Sequence, residues 1–330
     1  MGSFTVPLSI LDLASVVRGE RIAESFAASV DLAQRAERWG FERIWYAEHH
    51  NMSSIASSAT SVLIGHIAGH TSTIRLGSGG VMLPNHSPLV IAEQFGTLAE
   101  IYPGRIDLGL GRAPGTDQVT MQALRRNNTS ADSFPRDVQE LQGYLGDHSL
   151  RQGVKAVPGR GTHVPLYILG SSLYGAQLAA ALGLPFGFAS HFAPDSLHQA
   201  ISIYRERFEP SEQLAEPYVI VGAGVIAAGT TDEAQRLLQD SRRKRFVSMF
   251  GRGRNFTDAE IEEHLAGPGG MQVDHMLTYT AVGDGPQAKA FLADLQQKTQ
   301  ANELILVSNA TERTAWLRSF EIIAEQCLGD

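Results

Sequence analysis

The residues of this chain best suited to proton transfer stand together at Glu48-His49-His50-Asn51, directly after an apolar run. An imidazole titrates near neutral pH, so His49 is the candidate general acid or base, with Glu48 beside it to orient the ring or raise its pKa. A histidine that only packs would look the same. Gly170-Ser171-Ser172 falls between an apolar run and a stretch of helical period, where free backbone N–H groups and two hydroxyls converge. That is the geometry of an anion site, and Arg112 would add the bidentate partner a phosphate favours. A plain N-cap explains either serine equally well. Gly77-Ser78-Gly79-Gly80 interrupts a strand-like run with residues that weaken strands. There it marks either a bulge or a flat ligand lying against the backbone of Ser78, Gly79 and Gly80.

Other motifs fail on spacing. Gly109-Leu110-Gly111-Arg112-Ala113-Pro114-Gly115 has the wrong last interval for a dinucleotide loop, and Pro114 interrupts the helix such a loop must open. Tyr174 stands where a nucleophile elbow after Gly170-Ser171-Ser172 needs its second glycine. His66 and His70 share a helix face, but Ile67 replaces the glutamate of a zinc protease. His49 and His50 cannot both ligate from one extended segment, so no metal is expected.

The elements that must position these residues follow a βα rhythm. Strands are expected over residues 6–10, 43–47, 75–83, 105–110, 166–169, 186–190, 218–227 and 304–307. Helical period covers 25–39, 57–69, 89–102, 173–182, 195–208, 232–249 and 313–327. Helices after nearly every strand favour one α/β domain over 1–330, a closed (β/α)8 TIM barrel, above an open doubly wound sheet. Two connections exceed bare loops, about 113–165 after the fourth strand and 250–302 between the seventh and eighth. The second holds the glycine-rich stretches 251–254 and 267–270, read as mobile loop, and a helix near 286–298. In such a barrel one mouth collects the C-terminal ends of the strands. That filter gathers His49, Ser78-Gly79-Gly80, Arg112, Gly170-Ser171-Ser172 and Ser190-His191.

Composition narrows the partners. The 330 residues, 43% hydrophobic and 19% charged, exclude disorder and fibrous folds. A net charge of −8 disfavours nucleic acid, and the basic run Arg242-Arg243-Lys244-Arg245 is expected on a solvated helix face. One cysteine, Cys327, can form no internal disulfide, which fits a reducing cytoplasm. The N-terminus lacks the basic start and apolar core of a secretory signal, and no long apolar window suits a membrane span.

Taken together, these residues resemble the bacterial luciferase-like flavin monooxygenase family over nearly the whole chain. The resemblance is carried by Ala47-Glu48-His49-His50-Asn51, by 76–84 with Pro88 and Ala92-Glu93-Gln94-Phe95, by 102–112, and by Leu169-Gly170-Ser171-Ser172. It is nearest to a bacterial branch of single-component, homodimeric relatives rather than to the light-emitting subunits. What the resemblance implies is a TIM barrel that binds FMN, reduced by a separate flavin reductase, and uses dioxygen to oxidise a small organic substrate. His49 would then lie beside the reactive edge of the flavin, and Arg112 with Gly170, Ser171 and Ser172 would clamp its phosphate. A non-proline cis peptide would fall at Gly79-Gly80. Gly111 occupies the place of the light-emitting subunit's reactive cysteine, which argues against bioluminescence and implies wider room over the ring. No segment resembles a nicotinamide-binding domain, in keeping with a borrowed electron source. The alternatives are a deazaflavin-dependent hydride-transfer enzyme, a non-catalytic flavin-binding protein of the same fold, and a barrel hydrolase without flavin.

Overall fold

The computed structural model describes residues 4, 6–113, 115–127, 129–251 and 254–329. Pro114, Arg252 and Gly253 of the expected loops, and Met1, Gly2, Ser3 and Thr5 of the N-terminal segment, lie outside the described residues. Alternation along the strands decides how the sheet closes. In β1 (Leu8–Asp12) Leu8 and Ile10 join the layer under the helices, while Leu11 points inward with Trp45 of β2 (Arg43–Tyr46). The same period-two split recurs through β3 (Arg75–Met82), β4 (Ile106–Gly111), β5 (Leu166–Gly170), β6 (Phe186–Phe188) and β7 (Val219–Ala227). After β8 (Thr280–Gly283), β9 (Glu303–Ser308) pairs with both β7 and β1, and β6 pairs with β7. The pairings between these strands are parallel, so β1 to β7 and β9 form the closed eight-stranded barrel expected from the sequence.

Helices fill the crossovers: α1 (Ile22–Trp39), α2 (Thr60–Ala68), α3 (Pro88–Ile101), then α4 (Gln118–Ala123) and α5 (Phe134–Leu145) in the first insertion. They continue with α6 (Leu173–Leu182), α7 (Leu197–Glu206) and α8 (Thr231–Phe250). The chain ends through α9 (Asp258–Leu265), α10 (Pro268–Met276), α11 (Gly285–Thr299) and α12 (Arg313–Cys327). Gly40 stops α1 at φ 85°, its N–H returning to the Ala36 and Glu37 carbonyls, a left-handed stop that favours glycine.

Two expectations need correction. The stretch 267–270 is no mobile loop: Gly267 is the N-cap of α10 and Pro268 its first residue, a place proline suits because that N–H has no helical partner. A ninth strand, β8, was not foreseen, because Thr280-Ala281-Val282-Gly283 is not an apolar run; it pairs with the end of β7 outside the ring. The second insertion carries α9, α10, β8 and α11. Helix α11 packs on β7 and α12, and α8 packs on β7 as well as on β8, α9 and α10.

The N-terminal end of the barrel is closed by buried charge. Asp107, fully buried, accepts Arg43 Nη1 at 2.8 Å and Trp45 Nε1 at 3.1 Å, and also pairs with Arg75. Arg43 also donates to the Tyr167 hydroxyl at 2.8 Å and lies 3.0 Å from Glu303, which accepts from Ser9 and Tyr218. Chemistry is left to the other end.

Candidate active site

At the C-terminal ends of the strands lies a cavity of about 470 Å³. His49, Gly79, Gly80, Arg112, Gly170, Ser171 and Ser172 all line it, although they come from the ends of β2, β3, β4 and β5. A larger hollow of about 1020 Å³ lies elsewhere, around α5 and the start of β5, and has no arginine or lysine among its lining residues. The mouth cavity is the one that gathers the candidate chemistry.

Ser172 is the N-cap of α6, as the plain reading of the serines requires, but its side chain makes no capping bond. The first N–H groups of α6 are therefore not satisfied by that hydroxyl and face an opening that Arg112 shares. The Arg112 guanidinium stacks over the Tyr174 ring at 4.0 Å, which holds its plane while leaving its N–H edge free to meet an anion.

The peptide Gly79-Gly80 is cis. A Cβ on Gly80 would stand 2.8 Å from the Gly109 carbonyl oxygen, and one on Gly79, 2.5 Å from Leu11 Cδ1, would have to displace that side chain. The β3–β4 register also shifts between Ser78 and Val81. Bulge and bare cavity wall are thus one feature. Ser78 departs from its expected place: it is fully buried, its hydroxyl donates to the Gly109 carbonyl at 2.8 Å, and it does not line the cavity. Its side chain falls on the opposite face of the strand, within the barrel wall.

The Glu48 charge acts to raise the His49 pKa, but its carboxylate is directed elsewhere. Neighbours on an extended segment point to opposite sides, so Glu48 shares a side with His50 instead. Its carboxylate meets His50 Nε2 at 2.8 Å and His86 Nε2 at 2.9 Å, and accepts the Met82 N–H at 3.0 Å. Burial would raise its pKa, but these hydrogen bonds bring it down to about 2. His49 keeps a buried Nδ1 without a hydrogen-bond partner among the described residues, and burial pushes its pKa below the ordinary value despite the Glu48 charge. It is a neutral imidazole at neutral pH.

His191, after β6, lines the same cavity and is pushed down to about 3 by burial, then by Arg245 and His49. The sequence had singled it out by position alone. Met82, Phe192, Arg245 and Asn309 line the cavity too and were not foreseen. Gly111 lines the cavity, and a Cβ there would stand 2.8 Å from Met82 Sδ. Among the described residues no group of three histidine, cysteine or acidic side chains could hold a metal, and no helix is long and apolar enough to cross a membrane.

A closed parallel barrel with its polar groups at the C-terminal mouth defines an enzyme of the (β/α)8 class. Residues 9–303 match the luciferase-like monooxygenase family, and the chain belongs to it. It is 48% identical to a luciferase-like monooxygenase of Escherichia coli (strain K12), over 98% of this chain and 99% of that one. It is 35% identical to the N-acetyl-S-alkylcysteine monooxygenase of Bacillus subtilis (strain 168), covering 78% of each. The crystal structure of apo-MsnO8 superposes with a TM-score of 0.88 at 35% identity, over 98% of both chains.

Proposed function

We propose that this protein is a monooxygenase that takes up FMN, reduced by a separate flavin reductase, and uses dioxygen to oxidise a small organic substrate. The observation that carries the reading is the conjunction, in one cavity, of Arg112, the uncapped start of α6 and the side-chain-free wall at Gly79-Gly80. A planar ring suits that wall and a phosphate suits the arginine and the free N–H groups. A cavity of about 470 Å³ lies within the range of cofactor pockets. When bound, reduced FMN would supply the electrons that let dioxygen react with an organic molecule. The chain's own contribution is to orient the ring through these contacts, to exclude water and to move one proton at His49. The relative named for N-acetyl-S-alkylcysteine supports a small organic substrate.

A homodimer belongs to the same reading, because α2 and α3 expose Val62, Val90 and Ile101. The apolar residues Leu63, Ile67, Ile91, Phe95 and Leu98 on those helices are buried in the chain's own core and are not free for a partner.

Absorbance titration of the flavin-free protein with oxidised FMN, reduced FMN and a deazaflavin tests the proposal. FMN should bind, and Arg112→Ala should weaken it at least about tenfold, since a charge-assisted hydrogen bond contributes about 1.5 to 3 kcal/mol. Unchanged FMN affinity in that variant would move the cofactor elsewhere, and preference for the deazaflavin would change the reaction class.

A further inference from the structure

The basic run on α8 is not a uniform solvated face. Arg242 grips Asp274 of α10 through two hydrogen bonds at 2.6 and 2.8 Å, and Arg243 meets Glu262 of α9 at 2.5 Å. Those two arginines fasten α8 to the second insertion. Arg245, one helical turn along, turns instead into the mouth cavity beside His191 and Asn309. Its only hydrogen bond among the described residues is a long one, 3.4 Å from Nη2 to Asn309 Oδ1, and no carboxylate pairs with it.

Arg245 is half-buried, and its remaining donors open into the cavity, where a negatively charged group would complete them. Among the described residues nothing in the cavity does so: those that line it include two arginines and no aspartate or glutamate. The two cations also belong to separate places. Arg112 stands with Ser171 and Ser172 between β4 and β5, whereas Arg245 approaches from α8, next to residues that follow β6 and β9. The phosphate proposed above is complete without Arg245. His191 is held neutral by its burial and by the Arg245 charge, so the second cationic spot carries a single positive charge.

We propose that Arg245, steadied by Asn309, is a carboxylate-binding subsite of the same cavity, and that the oxidised substrate is a small organic acid. One guanidinium balances one negative charge, which favours a carboxylate over a dianionic phosphate. The inference rests on the cavity being the active site but not on the identity of the flavin.

The test is calorimetric titration of the full chain, flavin-free and FMN-loaded, with hexanoate, hexanamide and hexyl phosphate, in wild type, Arg245→Leu and Arg245→Lys. In the wild type hexanoate should bind at least about tenfold more tightly than hexanamide, as one charge-assisted contact allows. Arg245→Leu should erase that preference while leaving FMN affinity within about twofold, and Arg245→Lys should restore part of it, showing that the site stays folded. Equal or undetectable binding of the probes in wild type, or a preference that survives in Arg245→Leu, would overturn the proposal, and tighter binding of hexyl phosphate would assign the arginine to a phosphate. A tenfold loss of FMN affinity in Arg245→Leu would make Arg245 a cofactor contact instead. If wild type failed to bind FMN at all, the cofactor assignment would fall, and the flavin-free titrations would still decide the subsite.

Discussion

His49 stands one residue from Glu48, yet that carboxylate is fully engaged by His50, His86 and the Met82 N–H on its own side of the segment. What tunes His49 is therefore desolvation. A buried imidazole resists the positive charge, so its pKa lies below the ordinary 6.5 and its neutral form prevails at physiological pH. A neutral ring can accept a proton, and groups in that role contribute about 10² to 10⁴ in rate. His49→Asn should keep FMN affinity within a few fold while substrate-coupled oxygenation falls more than tenfold and hydrogen peroxide release rises. The sign of the pH dependence follows: because the folded pKa is depressed, the rate should hold level as pH falls to about 6.5 and decline only below it, a limb that His49→Asn should lack. Equal loss of flavin binding would make His49 a positioning residue and leave the neutral His191 as the proton carrier.

Between elements, the tightest approach that fixes the first insertion is glycine on glycine. A Cβ on Gly96 of α3 would fall on the Cα of Gly159, and one on Gly159 would stand 2.9 Å from the Ala92 carbonyl oxygen. Backbone meets backbone there, so no side chain can move aside. Gly96→Ala should cost about 1 to 3 kcal/mol in urea unfolding, the usual penalty of overpacking, and leave FMN affinity unchanged because neither glycine lines the mouth cavity. Stability equal to wild type would show that the inserted segment is free to shift. This contact had no signature in the sequence, where Gly96 is one residue of an ordinary helical period. The barrel strands were legible, because short apolar runs rich in β-branched residues recur between helical stretches, as from Leu8 to Asp12 or Val219 to Ala227. The mouth residues followed from the rule that parallel strands end together. Arg245 did not, because a helical period says that α8 has a buried face but not what that face covers, and three neighbouring basic residues hid the one that turns inward.

Across the whole molecule the two ends of the barrel divide stability from chemistry. The N-terminal end is a ring of strand-start residues: Arg43 on β2, Arg75 on β3, Asp107 on β4, Tyr167 on β5 and Glu303 on β9. Glu303 and Asp107 raise the pKa of Arg43 against the effect of burial, so the guanidinium stays charged. Burial in turn raises the pKa of Glu303, which Arg43 opposes. Asp107 joins both arginines and the Trp45 indole, and without it Arg43 and Arg75 would face one another with Glu303 as the only buried carboxylate of this ring. Breaking one partner of a buried pair typically costs about 3 to 5 kcal/mol, because the charge left behind has neither water nor a counter-ion. Asp107→Ala should therefore lower the unfolding midpoint markedly, whereas the FMN affinity of the folded fraction should stay within about twofold of wild type, since no residue of this ring lines the mouth cavity. Thermal unfolding followed by circular dichroism, paired with FMN titration well below the midpoint, reads both quantities. A variant that unfolded like wild type would remove the ring from the account of stability, and one that lost flavin in step with its midpoint would show that the two ends of the barrel are coupled.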